Sequence, residues 1–260
     1  MIFGNVTLGS EGDSFGVISN LTGQLNGCSI ESITDSPETV YKGTSCGVIG
    51  HIQNSSSKIM NLKLNGCTFQ GNISNLEDVQ DKIDVKKIRQ GAFGIIGWNE
   101  QGTITADING GYINNVSFSG LRSPAALKDN VGIIGINDAG TFRGYNLTNI
   151  RFTNIGQEGG SIIGLNKGSG VVDNINVSYY DTDGNGFTGS NGDATVGTIT
   201  NCKIVNAQIA KNGFAGNLFN ASMIKNCSIV NAQIANNGFV GTMSGYGGTI
   251  SGCHIYSDPS

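Results

Sequence analysis

The sequence predicts an all-β protein that winds into a right-handed parallel β-helix, or β-solenoid, of about eight coils. Three observations lead to this prediction: a short motif recurs eight times, its spacing settles to 25 to 27 residues in the last copies, and one turn position holds only Gly or Asn. A repeat of this length cannot bury its own apolar face, so neighbouring repeats must supply the core.

The first half of the repeat is a Gly-apolar-apolar-Gly step, with one Ser replacement in each of two copies. The eight copies begin at Gly16, Gly47, Gly94, Gly132, Ser161, Gly186, Gly213 and Gly238. Equivalent residues of stacked coils lie above one another, so their apolar side chains form ladders. The first ladder is predicted to contain Val17, Val48, Ile95, Ile133, Ile162, Phe187, Phe214 and Phe239.

The second half of the repeat centres on an apolar residue that another apolar residue follows two positions later. The central residues, predicted to form a second ladder, are Cys28, Cys67, Val116, Ile150, Ile175, Cys202, Cys227 and Cys253. Ile199 and Cys202 lie three positions apart, and regular strand alternation would put them on opposite faces. A left-handed residue between them would bring both inward.

The residue before each central position supports such a corner. It is Gly27, Gly66, Asn115, Asn149, Asn174, Asn201, Asn226 or Gly252. Gly and Asn are the residues that enter left-handed backbone space at low cost. Each coil is therefore predicted to have at least two short strands, which pair in parallel with the next coil. Eight coils spaced about 4.8 Å apart make a rod of roughly 40 Å, and parallel crossovers are right-handed.

Interruptions of the repeat mark insertions, all predicted after the second strand and therefore on one side of the rod. The longest spans 70–92, where Leu76, Val79 and Ile83 fall at helical spacing and predict a short helix near 74–90. Shorter insertions are predicted at 31–45, 119–130 and 178–185. In repeat proteins such a side is often the binding face.

Composition limits the domain organisation and the partners. The repeat runs through almost the whole chain, so 1–260 is predicted to be one solenoid segment of a larger protein with flanking domains. A net charge of −4 with scattered Lys and Arg argues against nucleic-acid binding. The sequence contains neither a run of roughly 18 apolar residues that would span a membrane nor a signal-peptide pattern.

The run from Gly97 to Ile104, with the Gly-x-Asn steps at 135–137 and 164–166, resembles the GLUG repeat. Such repeats occur in large bacterial surface and secreted proteins, including adhesin-like autotransporter or filamentous proteins and the non-catalytic region of IgA-cleaving metallopeptidases. The resemblance covers about residues 15–255. It implies a secreted or cell-surface location and a non-catalytic scaffold for adhesion, with a glycan or protein of host or neighbouring cells as the partner.

One local motif is typical of a metal site. Residues 181–186 match the first six positions of a calcium loop, in which alternate oxygens and a Gly turn surround one cation. The candidate calcium ligands are Asp181, Asp183 and Asn185. The match ends there, because the twelfth position is Gly192. The Asn-Gly pair also recurs as an ordinary turn at 212–213 and 237–238.

No catalytic residue and no other cofactor is assigned. Five of the six cysteines occupy the central repeat position, so they are predicted to face the interior as small apolar side chains. The spacing puts no Ser, Cys or carboxylate beside His51 or His254, and the sequence contains no His-Glu-x-x-His motif.

Aromatic side chains are candidates for stacking on a sugar or on a protein partner. They are Trp98, Tyr112, Tyr145, Tyr179, Tyr180 and Tyr246. Trp98 aligns with Ile136 and Leu165, which favours a packing role for this residue.

Two other functions remain open. Parallel β-helices also carry polysaccharide lyases and glycosidases, whose chemistry needs carboxylates a few ångströms apart or a basic residue near calcium. A secreted toxin or effector that enters host cells would suit cysteines that stay reduced.

Overall fold

The computed structural model describes residues 14–15, 17–31, 33, 40–41, 45–70, 72–73, 92–121, 130–155, 160–192 and 195–257. The described residues contain 27 β-strands, of which 25 form three long sheets in which every paired strand is parallel to its neighbour. Each coil contributes to all three sheets, so the coil has three sides. The protein is a right-handed parallel β-helix of about eight coils, as predicted.

Sheet 1 contains the Gly-apolar-apolar-Gly steps. In spatial order its strands are β1 (Ser14–Phe15), β6 (Ser45–Ile52), β10 (Ala92–Asn99), β13 (Asn130–Asp138), β16 (Ser161–Lys167), β19 (Thr188–Asn191), β22 (Ala215–Phe219) and β25 (Val240–Ser244). The first coil also contributes β2 (Ile18–Leu21), which pairs with β6.

Sheets 2 and 3 form the other two sides, and coils are numbered here by their sheet 3 strand. Sheet 2 contains β3 (Gln24–Asn26), β7 (Lys58–Met60), β11 (Thr103–Thr105), β14 (Thr141–Arg143), β17 (Val171–Asp173), β20 (Thr198–Thr200), β23 (Met223–Lys225) and β26 (Thr249–Ser251). Sheet 3 contains β4 (Ser29–Glu31), β8 (Lys63–Gln70), β12 (Tyr112–Ser119), β15 (Asn146–Thr153), β18 (Asn176–Thr182), β21 (Lys203–Ile209), β24 (Ser228–Ile234) and β27 (His254–Tyr256).

The first predicted core ladder is confirmed. Each ladder residue is followed directly by a residue that pairs in register in sheet 1, from Ile18 in the first coil to Val240 in the last. The ladder residues themselves, from Val17 to Phe239, are therefore stacked in the same order. The Phe187 and Phe214 rings stack with centroids 5.2 Å apart, and Phe214 and Phe239 follow at 5.3 Å. Each such pair contributes about 1 kcal/mol beyond its buried area.

Glycine is required in sheet 1 where successive coils approach closely. A Cβ atom on Gly94 would lie 2.5 Å from the carbonyl oxygen of Gly132, and one on Gly135 would lie 2.5 Å from the backbone nitrogen of Phe93. Any side chain at these positions would push neighbouring coils apart. The Gly-apolar-apolar-Gly step therefore encodes contact between backbones as well as an apolar ladder.

A ladder of buried asparagines holds the end of sheet 1. Asn99, Asn137, Asn166 and Asn191 have no exposed surface, and each Nδ2 of the first three donates to the Oδ1 of the next at 2.9, 2.8 and 2.8 Å. The ladder begins against Ile52, which cannot donate, so Asn99 Oδ1 has no hydrogen-bond partner among the described residues.

Most coils turn at two left-handed corners among the described residues. The first corner joins sheets 2 and 3 and is formed by Gly27, Asn61, Gly144, Asn174, Asn201, Asn226 and Gly252. The second corner lies inside the sheet 3 strands and is formed by Gly66, Asn115, Asn149, Tyr179, Asn206 and Asn231. All eight predicted Gly or Asn corner residues have a positive φ, between 53° and 67°, so that prediction is confirmed.

The prediction of one continuous second ladder is wrong, because its members follow two different corners. Cys28, Ile175, Cys202, Cys227 and Cys253 follow the first corner, whereas Cys67, Val116 and Ile150 follow the second. The two corners lie five residues apart and carry similar sequences, so the repeat spacing alone does not distinguish them. The column of Cys202, Cys227 and Cys253 is confirmed, because the residues that follow these cysteines pair in register.

The insertions agree with the prediction only in part. An insertion at 178–185 is wrong, because β18 continues through Tyr179 to Thr182 with a corner in the middle. The helix predicted near 74–90 lies outside the described residues. Strands β5 (Val40–Tyr41) and β9 (Asn72–Ile73) pair, so the insertions at 31–45 and 70–92 meet beside the rod.

Candidate binding surface

Two of the predicted aromatic platforms belong to the core. Tyr145 and Tyr180 are 0% and 2% exposed, because each follows a corner and points inward like the residues above and below it. The Tyr145 hydroxyl accepts a hydrogen bond from the backbone of Leu62 at 3.1 Å. Burial raises the pKa of Tyr145 to about 12 and also raises the pKa of Tyr180. Neither ring is available to a partner.

Trp98 packs on the outer side of sheet 1 rather than forming an open platform. It contacts a small cluster of Ala92, Ile136 and Leu165, in agreement with its alignment in the sequence. The His51 ring stacks on Trp98 with centroids 5.3 Å apart, and Lys167 Nζ lies 5.9 Å from the centre of its ring. These contacts occupy the ring that a ligand would need.

His51 has a carboxylate partner that the sequence did not reveal. Its Nε2 lies 2.9 Å from Glu100 Oε2, because Trp98 pairs with His51 in the sheet and Glu100 follows two residues later. The prediction that no carboxylate lies beside His51 is therefore wrong. The repeat aligns His51 with Trp98, and only the turn after Trp98 brings Glu100 back to the imidazole.

Tyr179 is the one predicted aromatic residue that combines exposure with an unusual backbone. This residue is 62% exposed and its φ is 53°. Every other described second corner has Gly or Asn, for which left-handed geometry is cheap. For a residue with a large Cβ-branched or aromatic side chain that geometry costs about 1 kcal/mol or more. The fold therefore tolerates a strained, exposed tyrosine in the fifth coil.

Asparagine side chains form a ladder along the second corners up to Tyr179, starting at Asn65, the residue before the Gly66 corner. Asn115 Nδ2 donates to Asn65 Oδ1 at 2.7 Å, and Asn149 Nδ2 donates to Asn115 Oδ1 at 2.8 Å. Tyr179 has no amide with which to continue the ladder. Within the described part of the chain, nothing donates to Asn149 Oδ1, and the Asn206 side chain has no hydrogen-bond partner.

Polar pairs lie on both sides of Tyr179 along the strand. On one side the hydroxyls of Thr148 and Ser178 are 3.2 Å apart. On the other side Arg151 Nε lies 3.3 Å from Asp181 Oδ2, and these side chains are 63% and 44% exposed. An exposed ring is thus bordered by two amides, two hydroxyls and one ion pair. We call Thr148, Asn149, Arg151, Ser178, Tyr179, Asp181 and Asn206 the Tyr179 surface.

The three predicted calcium ligands have separate partners in the structure. Asp181 Oδ2 pairs with Arg151, Asp183 Oδ2 accepts from the Ile155 backbone nitrogen at 3.0 Å, and Asn185 Oδ1 accepts from Asn212 Nδ2 at 2.9 Å. Among the described residues, no three His, Cys, Asp or Glu side chains lie close enough together to hold a metal ion. A calcium site here stays a prediction.

Cys28, Cys67, Cys202, Cys227 and Cys253 are free thiols. Cys202 and Cys227 are 1% exposed, while Cys28 and Cys253 are half-buried at the two ends of the rod. Burial raises the pKa of Cys202 well above its ordinary value, whereas a hydrogen bond from the Cys202 thiol lowers the pKa of Cys227. The inward orientation predicted for these cysteines is confirmed.

Within the described ranges, no helix is long and apolar enough to cross a membrane. Searches against protein-family models, curated proteins and solved structures find no match to this chain.

Proposed function

We propose that this chain is a non-catalytic β-solenoid scaffold of a bacterial surface or secreted protein, similar to GLUG-repeat proteins. Its role is adhesion, through a glycan or protein of host or neighbouring cells. The residues that carry the resemblance support the proposal, because each has a part in the coil. The glycines permit close approach of the backbones, and the asparagines form the buried ladder.

The observation that carries the proposal is the Tyr179 surface on a stiff rod. In-register parallel stacking fixes the backbone under this surface from coil to coil. A recognition surface held in place before binding loses little conformational freedom on binding, which favours affinity. A solenoid of eight coils is roughly 40 Å long and also holds such a surface away from whatever anchors it.

The charges on the rod favour binding over hydrolysis. Hydrolysis of a glycosidic bond needs two free carboxyl groups on either side of one bond, one of which stays protonated. Four of the described carboxylates, those of Glu100, Asp138, Asp173 and Asp181, are each paired with a basic side chain of a neighbouring coil. Although partial burial opposes it, hydrogen bonds from Thr200 and Asn201 and the charge of Arg143 lower the pKa of Asp173.

A cell-binding assay tests this proposal. Fluorescently labelled chain is added to cultured epithelial cells and to several bacterial species, with excess unlabelled chain as competitor. The expected result is saturable binding that the competitor removes, and that prior treatment of the cells with either glycosidases or proteases abolishes. Binding that does not saturate on any cell type would reduce the chain to a spacer. Release of reducing sugar ends from polysaccharide at catalytic turnover would replace the scaffold by an enzyme.

A further inference from the structure

We infer that the Tyr179 surface is a binding subsite for a neutral oligosaccharide that lies along the rod axis. This inference rests on the proposed function, because it names the ligand class that the scaffold takes. Four features of the described residues carry it: backbone strain, ring exposure, a broken amide ladder and a neutral charge balance.

The strain at Tyr179 marks a position selected for its side chain. The corner residues one coil before and one coil after, Asn149 and Asn206, have φ values of 55° and 54°, almost the same as the 53° of Tyr179. The backbone shape at this corner therefore does not require tyrosine and works against it. Strained residues that a fold retains concentrate at ligand-binding sites.

The exposed ring of Tyr179 suits the apolar face of a sugar. A pyranose presents C–H groups of slightly positive charge on one face, and the face of an aromatic ring is negative. Since Tyr179 is 62% exposed, its ring is not part of the core, and no described residue hydrogen-bonds its hydroxyl. Tyr179 thus offers a ligand an apolar ring surface with a polar hydroxyl at its tip. A core tyrosine such as Tyr145 offers a ligand neither, because it is buried.

The ladder that stops at Tyr179 leaves hydrogen-bonding groups beside the ring. Among the described residues, no group donates to Asn149 Oδ1 and none hydrogen-bonds the Asn206 amide. The hydroxyls of a sugar are both donors and acceptors, so they match an amide oxygen on one side of the ring and a whole amide on the other. The three residues occupy successive coils, about 4.8 Å apart, and so form a line parallel to the rod axis.

The charges near the ring favour a neutral sugar. Arg151 and Asp181 neutralise each other at 3.3 Å, so an acidic or a basic sugar would find no free countercharge within this surface. Both side chains remain partly exposed and can still hydrogen-bond hydroxyl groups. The flat, extended shape of equatorially linked chains fits a straight line of contacts. A β-1,4-linked neutral oligosaccharide is therefore the expected kind of ligand.

Saturation-transfer NMR with the whole chain tests the inference, with cellohexaose and chitohexaose as probes and maltohexaose as a chain of different shape. The expected result is transfer to at least one β-1,4-linked probe, with weaker transfer to maltohexaose. Tyr179→Asn should weaken the affinity for that probe at least tenfold. The control Tyr246→Asn, which removes a tyrosine that is 99% exposed in the last coil, should leave the affinity unchanged.

The outcomes separate this inference from the proposed function. If the intact chain binds neither β-1,4-linked probe, or if Tyr179→Asn binds as well as the parent chain, the sugar subsite is overturned. The cell-binding assay with the same two variants then decides the broader proposal, because saturable cell binding that ignores Tyr179 would leave the adhesive scaffold in place with another ligand. A melting temperature for Tyr179→Asn at or above that of the parent chain shows that lost sugar binding is not lost folding.

Discussion

Tyr179 occupies the same corner as Asn149 one coil earlier, with a φ of 53° against 55°. Two residues of very different size and chemistry thus share one backbone conformation in consecutive coils. The effect of the side chain at this corner can therefore be compared between coils, because the backbone conformation is the same.

Replacing Tyr179 by asparagine should stabilise the fold. Asparagine enters left-handed space at lower cost than tyrosine, and its amide would let the ladder continue from Asn149 towards Asn206. The expected gain is about 1 kcal/mol in the free energy of unfolding. Chemical denaturation measures it, with Tyr246→Asn as the control that should change little. A loss of stability in Tyr179→Asn would contradict the account of strain at this corner.

Substitution in the middle of the buried asparagine ladder should destabilise the fold more than substitution at its beginning. Asn137→Leu leaves Asn166 Oδ1 without its donor and one N–H of Asn99 Nδ2 without its acceptor, while the other N–H keeps its bond to the Gly102 carbonyl. Each buried group left unpaired costs about 1 to 3 kcal/mol. Asn99→Leu should cost less. It leaves Asn137 Oδ1 without its donor, but it also removes an Asn99 Oδ1 that is already unpaired and extends the stack that Ile52 begins. Equal losses in the two variants, measured by urea denaturation, would argue against a ladder with this direction.

Asp173 should make stability depend on acid. Its pKa is lowered in the folded protein, so its contribution is complete above the ordinary value of 3.8 and is lost as the pH falls below it. Asp173→Asn should therefore destabilise the protein by about 1 kcal/mol at pH 7 and by nothing once both chains are at strongly acid pH. Thermal melts of both proteins from pH 7 to pH 2 measure the difference. A difference that persists unchanged to pH 2 contradicts the assigned role.

Thiol reactivity should follow the position of each cysteine in the rod. Cys253 is half-buried in the last coil, whereas Cys202 and Cys227 are enclosed by the coils on both sides. Alkylation of the native chain followed by peptide mass spectrometry should modify Cys253 at least tenfold faster than Cys227. Since Cys227 has the lowered pKa, faster modification of Cys227 would mean that the coil above it opens readily.

The predicted calcium site has a direct test. If Asp181, Asp183 and Asn185 bind calcium, a concentration one hundred times the dissociation constant should stabilise the fold by about 2.7 kcal/mol. Asp183→Asn should remove that effect, and magnesium serves as the control ion. A melting temperature that stays constant up to millimolar calcium would leave these oxygens with the protein partners described above.

Much of this fold follows from the sequence because the repeat encodes physical contacts. The Gly positions, the Val17 to Phe239 ladder and the left-handed corners all follow from residue types that recur at one spacing. The repeat pattern does not separate the first corner from the second, because Gly66 at a second corner and Asn201 at a first corner have similar neighbours, although the two corners lie five residues apart in a coil. Register between coils is fixed by the packing of all three sheets together, and the spacing of one motif cannot supply it.

The Tyr179 surface was less accessible to sequence analysis. Val177 and Tyr180 both face the core although they lie three positions apart, because the corner at Tyr179 shifts the strand alternation by one residue and leaves Tyr179 exposed. The sequence does contain a signal for this surface, because Tyr179 stands at a second-corner position where the other coils have Gly or Asn. That signal can be used only after the second corner has been recognised. The pairing of His51 with Glu100 depends on a side chain folding back after a turn, which no repeat position encodes.

The stacking of coils is tested most directly by methyl contacts in a sample labelled at isoleucine. Ile199, Ile224 and Ile250 pair in register in sheet 2, and Ile199 and Ile224 are fully buried. With coils about 4.8 Å apart, strong NOE cross-peaks should join Ile199 to Ile224 and Ile224 to Ile250, with a far weaker one between Ile199 and Ile250. If Ile224 shows a cross-peak to neither Ile199 nor Ile250, the coils do not stack in this register and the solenoid fold is wrong.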